Sequence, residues 1–135
     1  MMLRDEINAD EAIAVWEAAL AAPWRGPAVW VHGDMAAGNL IVENGRLSAV
    51  IDFGSCAVGD PSCDLTIAWT LLGGEGTEVF RMRLSADKST WARARGWALW
   101  KAILIVAERP GKPADQDQAR GVITSVLAEH RHETR

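Results

Sequence analysis

Cysteine is nearly absent from the chain. Cys56 and Cys63 match no zinc-ligand spacing and are too few for a disulfide framework, so they read as small, semi-buried thiols of a reducing compartment. Tyrosine is missing altogether, phenylalanine occurs twice, and seven tryptophans carry the aromatic content. Their large apolar area makes most of them candidate core anchors. Stacking on nucleic-acid bases would need a basic groove beside them. The sequence offers none: lysine occurs only at Lys88, Lys101 and Lys112, no Lys/Arg run stands out, and the formal net charge is −4. That argues against a nucleic-acid partner. No stretch reaches the roughly twenty consecutive apolar residues that span a bilayer, and the apolar run 102–107 is far shorter. Residues 1–10 are acidic and lack the apolar segment of a secretory signal. A cytoplasmic location without membrane contact is expected.

What is present suffices for a packed core. The chain has 135 residues, 49% of them apolar, which fits one domain over 1–135. Asp10 can cap a helix running to about Ala22, with Ile13, Trp16 and Leu20 on one face at helical spacing. Pro23, Gly26 and Pro27 end it. Residues 28–31 read as a strand and 32–38 as turn-rich. Asn44-Gly45 between the runs 40–43 and 46–51 is a strong hairpin signal. A loop follows Phe53, and a helix runs from near Ser62 to Gly73-Gly74. The spacing of those glycines to Gly76 suits a helix stop better than a nucleotide loop. The segment 77–87 is ambiguous between helix and loop. Ser89 can cap a long helix to about Glu108, stopped by Pro110, and a last helix spans about 115–130. His130 and His132 fall in its charged end and read as solvated. This order predicts an α+β fold, mostly helical, with a small antiparallel hairpin.

A two-residue turn at Asn44-Gly45 pairs Glu43 with Arg46, Val42 with Leu47, Leu40 with Ala49 and Asn39 with Val50. One face then holds Leu40, Val42, Leu47, Ala49 and Ile51 and is expected to pack on helices. The other holds Asn39, Ile41, Glu43, Arg46, Ser48, Val50 and Asp52. Asn39 and Asp52 become diagonal neighbours, with Cβ atoms about 7 Å apart. An amide oxygen and a carboxylate at that spacing can share Mg²⁺, with Ile41 and Val50 beside them as the floor for a nucleotide base. On geometry alone, a turn asparagine and a solvated aspartate at a strand end are an equal alternative.

The segment His32-Gly33-Asp34-Met35-Ala36-Ala37-Gly38-Asn39 resembles the catalytic loop H-G-D-x-x-x-x-N of aminoglycoside and macrolide phosphotransferases. Ile51-Asp52-Phe53-Gly54 is similar to the magnesium-binding segment of that family. Gly59-Asp60-Pro61-Ser62-Cys63-Asp64-Leu65 is similar to the G-D-P-x-x-D-L segment that follows it. Three motifs in order, with a hairpin between the first two, make the resemblance specific over residues 29–72. It implies a protein-kinase-like C-terminal lobe and transfer of the γ-phosphate of ATP or GTP to a hydroxyl of a small molecule such as an amino sugar. Asp34 would be the catalytic base, and Asn39 and Asp52 would hold Mg²⁺. His32, Gly54, Asp60 and Asp64 would support the site structurally.

The family's N-terminal lobe covers the phosphates and supplies a lysine to them. Neither feature is present ahead of His32, so weak catalysis by the chain in isolation is expected. Ile41 and Val50 would then lie on an exposed face that invites self-association or a partner taking the place of that lobe. A non-catalytic nucleotide-binding or interaction module is the alternative. A zinc hydrolase built on His32 and Asp34 is a third reading, short of further ligands. Acceptor recognition would fall to residues 72–135, where Glu75, Glu78, Asp87, Glu108, Asp115 and Asp117 are acidic.

Overall fold

The computed structural model describes residues 7–108 and 110–135. The acidic segment considered above as a possible signal therefore falls mostly outside the described residues. Helix α1 (Ala9–Ala21) is followed by strand β1 (Val29–Val31), then a 3-10 turn (Ala37–Asn39) that leads into β2 (Leu40–Glu43) and β3 (Arg46–Val50). Strand β4 (Ala57–Gly59) precedes a 3-10 segment (Pro61–Thr66) that runs on into α2 (Ile67–Thr70). Helices α3 (Gly74–Leu84), α4 (Lys88–Ala107) and α5 (Pro113–Glu133) complete the fold. The mostly helical α+β architecture is as expected. Among the described residues, no helix is long and apolar enough to cross a membrane.

The helix starts differ from the sequence reading because the capping residue must itself stay extended. Asn8, not Asp10, caps α1 and accepts the Glu11 N–H at 3.1 Å. Asp87, not Ser89, caps α4 and accepts the Thr90 N–H at 2.7 Å. The ambiguous segment 77–87 is helical up to Leu84 and ends on Ser85 at φ 48°. Gly73 is the N-cap of that helix and Gly74 and Gly76 lie in its first turn, so the glycines start α3; α2 already ends at Thr70 with Leu71 as its C-cap.

The core is the seam of α4 and α5. Leu99, Ala102 and Val106 pack on Val122, Ile123 and Val126, with Val15 of α1 closing one side. The face of α1 picked out by periodicity does not pack there: Ile13, Trp16 and Leu20 are exposed, Leu20 at 70%. Small residues choose the packed face instead. A Cβ on Gly96 of α4 would lie 2.6 Å from the Ala19 Cβ, so the two helices meet where neither carries bulk. The tryptophans correct a second expectation. Trp91 is buried in a satellite cluster with Leu65 and Ala94, whereas Trp16, Trp30, Trp97 and Trp100 are exposed.

Two short antiparallel pairs flank the helices. β1 pairs with β4, matching Val29 to Gly59 and Val31 to Ala57. The sequence reading left β4 as loop. The hairpin turn forms as expected, with Asn44 and Gly45 at φ 51° and 74°, the left-handed values this turn requires. The register changes part-way along. Val42 pairs with Leu47, but Ile41 pairs with Ala49 and Leu40 with Val50, leaving Ser48 as a bulge. Paired residues share a face, so Val50 goes with Leu40 and away from Ile41. The expected apolar face is also not covered by helices: Val42, Leu47 and Ile51 are exposed.

Candidate active site

The loop after β1 is built on backbone hydrogen bonds. Asp64, in the 3-10 segment, accepts the His32 N–H through Oδ2 at 2.7 Å and the Gly33 N–H through Oδ1 at 2.9 Å. The β1–β4 pairing brings this segment back beneath the loop. Gly33 adopts φ +87°, and a Cβ there would overlap the Ser55 carbonyl oxygen. Gly33→Ala should therefore destabilise the fold by about 1–3 kcal/mol, read as a lowered midpoint in chemical denaturation; an unchanged midpoint would show that the loop relaxes freely. Gly54 makes no such demand, since a Cβ on it meets only Asp52 Oδ1 at 3.7 Å. The loop's glycine requirement thus sits at Gly33 rather than at Gly54.

His32 is buried, and both ring nitrogens are committed. Nδ1 accepts the Asp34 N–H at 3.1 Å, which leaves the ring proton on Nε2 to be donated to the Ile51 carbonyl at 2.8 Å. Phe53 meets the ring edge-on at 4.7 Å. No lone pair remains for proton abstraction, so the ring ties the loop to the strand end and is not a base. The hydrolase reading loses its base, and among the described residues no three His, Cys, Asp or Glu side chains cluster as a zinc site would need.

Asp34 follows with its carboxylate half exposed. Asn39 Nδ2 donates to the Asp34 carbonyl at 2.8 Å and to Oδ2 at 3.3 Å. That fixes the amide with Nδ2 toward Asp34 and Oδ1 away from it. The Asn39 carbonyl accepts the Ile51 N–H at 2.9 Å, locking the turn to the strand that leads to Asp52. Asp52 is exposed and held at φ 62°, a left-handed conformation that costs a non-glycine residue energy and clusters at functional sites. The bulge places Asn39 opposite Ile51 rather than Val50, so the expected strand register is replaced by this turned-out aspartate. The Asn39 amide oxygen is thus directed away from Asp34, and the Asp52 carboxylate belongs to an exposed residue. Such hard, oxygen-only donors suit Mg²⁺.

Lys101 of α4 comes within 4.0 Å of Asp34 Oδ1. Linear reading had placed every lysine far from the motif; the long helix returns this one to it. A half-open cavity of about 590 Å³ adjoins the carboxylate, bounded by the 33–38 loop, α4 and the start of α5. Of the six acidic residues flagged after the third motif, Asp115 lines it.

Asp60 has both carboxylate oxygens engaged within the fold. It caps the 3-10 segment through the Ser62 N–H at 3.0 Å and holds Arg93 at 2.7 Å. Burial pushes its carboxyl upward, but the Arg93 and Ser62 hydrogen bonds outweigh that and hold it below the ordinary aspartate range. Arg93 also donates to the Ala22 carbonyl at 3.0 Å, joining α1, α4 and the third motif. Cys63, between the two aspartates, is pushed up to about 11, by burial first and then by Asp64 and Asp60. That thiol stays protonated and inert.

A catalytic-type loop between a short antiparallel strand pair and a β-hairpin, beside a bundle of helices, is the C-terminal lobe of a protein-kinase-like fold. The sequence profile of the phosphotransferase enzyme family (APH) matches residues 2–97, and the chain belongs to that family. It is 37% identical over 70 residues to aminoglycoside 3'-phosphotransferases of Escherichia coli and Salmonella typhimurium, alignments covering 51% of this chain and 26% of each relative. The chain thus spans about a quarter of the length of these curated relatives. The solved structure of aminoglycoside phosphotransferase APH(2'')-Ib with ADP bound superposes on 88% of this chain and 44% of its own, at 22% identity and a TM-score of 0.50.

Proposed function

We propose that the chain carries the catalytic half of a nucleotide-dependent phosphotransferase acting on a hydroxyl of a small molecule. The arrangement of Asp34 carries this reading: its carboxylate is held by Asn39, lies 4.0 Å from the Lys101 ammonium and opens on a cavity. In that role Asp34 accepts the proton of the attacking hydroxyl, or orients it for in-line transfer. Asn39 Oδ1 and the Asp52 carboxylate are the groups that would hold Mg²⁺. When bound, the metal would neutralise charge on the phosphates of ATP or GTP. The structural neighbour was solved with ADP bound, which supports a nucleotide as the phosphate donor. His32 and Asp64 hold the loop rigid, Asp60 anchors the segment beneath it, and Lys101 offers a charge for the developing phosphate oxygens.

Ile41 stays a candidate for the nucleotide floor. Val50, paired with Leu40 across the bulge, would reach a base only from the other face. The exposed hairpin, with Val42 and Leu47 open beside Ile41, suits cover by a second lobe, by a partner or by a second copy.

Mg²⁺ with ATP should raise the melting temperature of the chain, by the linkage of ligand binding to folding. Asp52→Asn should lose most of that shift while melting at the wild-type temperature without ligand. A wild-type protein with no shift favours the alternative, an interaction module without a nucleotide site. A full shift retained in the variant would remove Asp52 from the metal site.

A further inference from the structure

Helices α1 and α4 run antiparallel, since Ala19 meets Gly96 at one end while Ile13 lies with Ile103 at the other. Together they present one apolar surface. Ile13, Trp16 and Leu20 stand out from α1, and Trp97 and Trp100 from α4, each between 41% and 70% exposed. Trp97 and Trp100 meet edge to face with ring centres 5.7 Å apart, a contact that restrains both rings. Two half-open hollows lie in this surface. One, of about 450 Å³, is floored by Ala19 and Gly96 between Leu20 and Trp97. The other, of about 270 Å³, lies between Ile13 and Ile103. Trp16 and Trp100 border both hollows and form the ridge that separates them.

The chemistry of the surface restricts what can cover it. Among the described residues, Arg93 is the only charged one bordering either hollow, and it is committed to Asp60 and to the Ala22 carbonyl. No charge is left for an acidic or basic partner to read. A ridge of two tryptophans beside a hollow floored by alanine and glycine is complementary to itself. A two-fold axis between ridge and hollow seats the ridge of each copy in the hollow of the other, the isologous contact of a closed dimer. With no free charge on the surface, that symmetry brings no like charges together. Lone soluble chains rarely leave more than a few hundred Å² of contiguous apolar surface open. Three tryptophans and two aliphatic side chains reach that size, and with their rim they approach the ~800 Å² that each partner gives to a stable interface.

We infer that a second copy of this chain docks on the α1–α4 face, making the protein a two-fold dimer through it. This surface shares no residue with the exposed hairpin or with Asp34, Asn39 and Asp52, so the inference stands apart from the phosphotransferase reading.

The test is sedimentation velocity of the full chain without nucleotide, over concentrations from about 1 to about 100 μM. The expected result is a reversible shift with concentration to a single species of twice the 14.7 kDa chain mass. Leu20→Glu and Trp97→Glu each place a carboxylate where the copies meet. Each should weaken dimerisation about thirtyfold or more, the effect of losing a central anchor. Leu47→Glu, on the hairpin, should leave the dimer unchanged. All three positions are exposed in the single chain, and circular dichroism spectra matching the wild type would confirm that the variants fold. A wild-type monomer throughout, growth into open-ended larger species, or a dimer that survives both Leu20→Glu and Trp97→Glu would overturn the inference. A dimer lost in Leu47→Glu but kept in the other two would assign self-association to the hairpin and overturn it as well.

Discussion

Replacing Asp34 by Asn should lower phosphoryl transfer to a small alcohol by about 10²–10⁴-fold, the usual contribution of a positioned general base. At 1.36 kcal/mol per decade this is about 3–5 kcal/mol of barrier. The expectation follows from what else the site lacks. His32 has both nitrogens in hydrogen bonds and cannot substitute as a base. Asp64 has each oxygen committed to a backbone N–H, and Asp60 is committed to Arg93 and Ser62. Asp34 alone of these groups opens on the cavity, and asparagine keeps its shape while removing its basicity. Folding should be unaffected, because the carboxylate is half exposed and its ion-pair partner stands at 4.0 Å. The measurement is initial-rate transfer from ATP in the presence of Mg²⁺, with circular dichroism as the control for folding. Equal turnover by the wild type and the variant would remove Asp34 from the chemistry.

The largest effect on stability should come from Glu129. This side chain of α5 accepts both Arg81 guanidinium nitrogens at 2.9 Å, Arg95 at 3.0 Å and the Trp69 indole N–H at 2.9 Å. Arg95 is only 3% exposed, and its second arm reaches Glu133 at 2.8 Å. Arg81 also lies over Trp91, 4.4 Å from the ring centre. Glu129→Ala would leave two guanidinium groups without their shared counter-charge, one of them deeply buried. The expected loss is about 3–5 kcal/mol in chemical denaturation, the range for breaking a buried pair by removing one partner. Glu129→Gln should cost less, because the amide oxygen can still accept.

The same network fixes a pH dependence. Burial raises the Glu129 carboxyl, but hydrogen bonds from Arg81 and Trp69 and the charge of Arg81 outweigh it, so the folded-state value lies below the ordinary 4.5. A depressed carboxylate binds its proton more readily in the unfolded chain. Its stabilisation is therefore fully present above about 4.5 and is lost as pH falls through the lower folded value. Denaturation midpoints measured from pH 6 downward should drop in the wild type and stay flatter in Glu129→Gln. Parallel curves would assign the acid lability to other groups, Asp60 first among them.

Some of this was written locally in the chain. Asn44-Gly45 announces its turn because the two residues tolerate the left-handed backbone that a tight hairpin demands. The loop motif points to Asp34, Asn39 and Asp52 because their chemistry depends on residue type at short spacing. Helix positions follow from apolar period and breakers, and the helical reading held for the segments that form α1, α4 and α5; the helix expected from Ser62 is a 3-10 segment to Thr66 followed by only four α-helical residues. The cap assignments missed by a few residues, since Asn8, Asp10, Asp87 and Ser89 are all competent caps and only backbone conformation distinguishes them.

Other features depend on partners that linear reading cannot supply. The Ser48 bulge reassigns Val50 from one face to the other, and nothing in the alternation of 40–51 marks it. The outward face of α1 is the one its periodicity favours: the close approach of Ala19 to Gly96 sets the packed side, and Ile13, Trp16 and Leu20 stay exposed.

Residue type and short-range spacing were thus enough to establish the family's loop, its hairpin turn and the run of helices, because backbone preference and the chemistry of a motif act over a few residues. Distances across the fold assigned the rest: Lys101 to Asp34, Arg93 to Asp60, and Arg81 and Arg95 to Glu129. Charged residues on a helix look alike in sequence whether they meet water or a counter-charge. Only the packing of the helices on one another and on the motif segments brings a counter-charge to each and screens part of it from water.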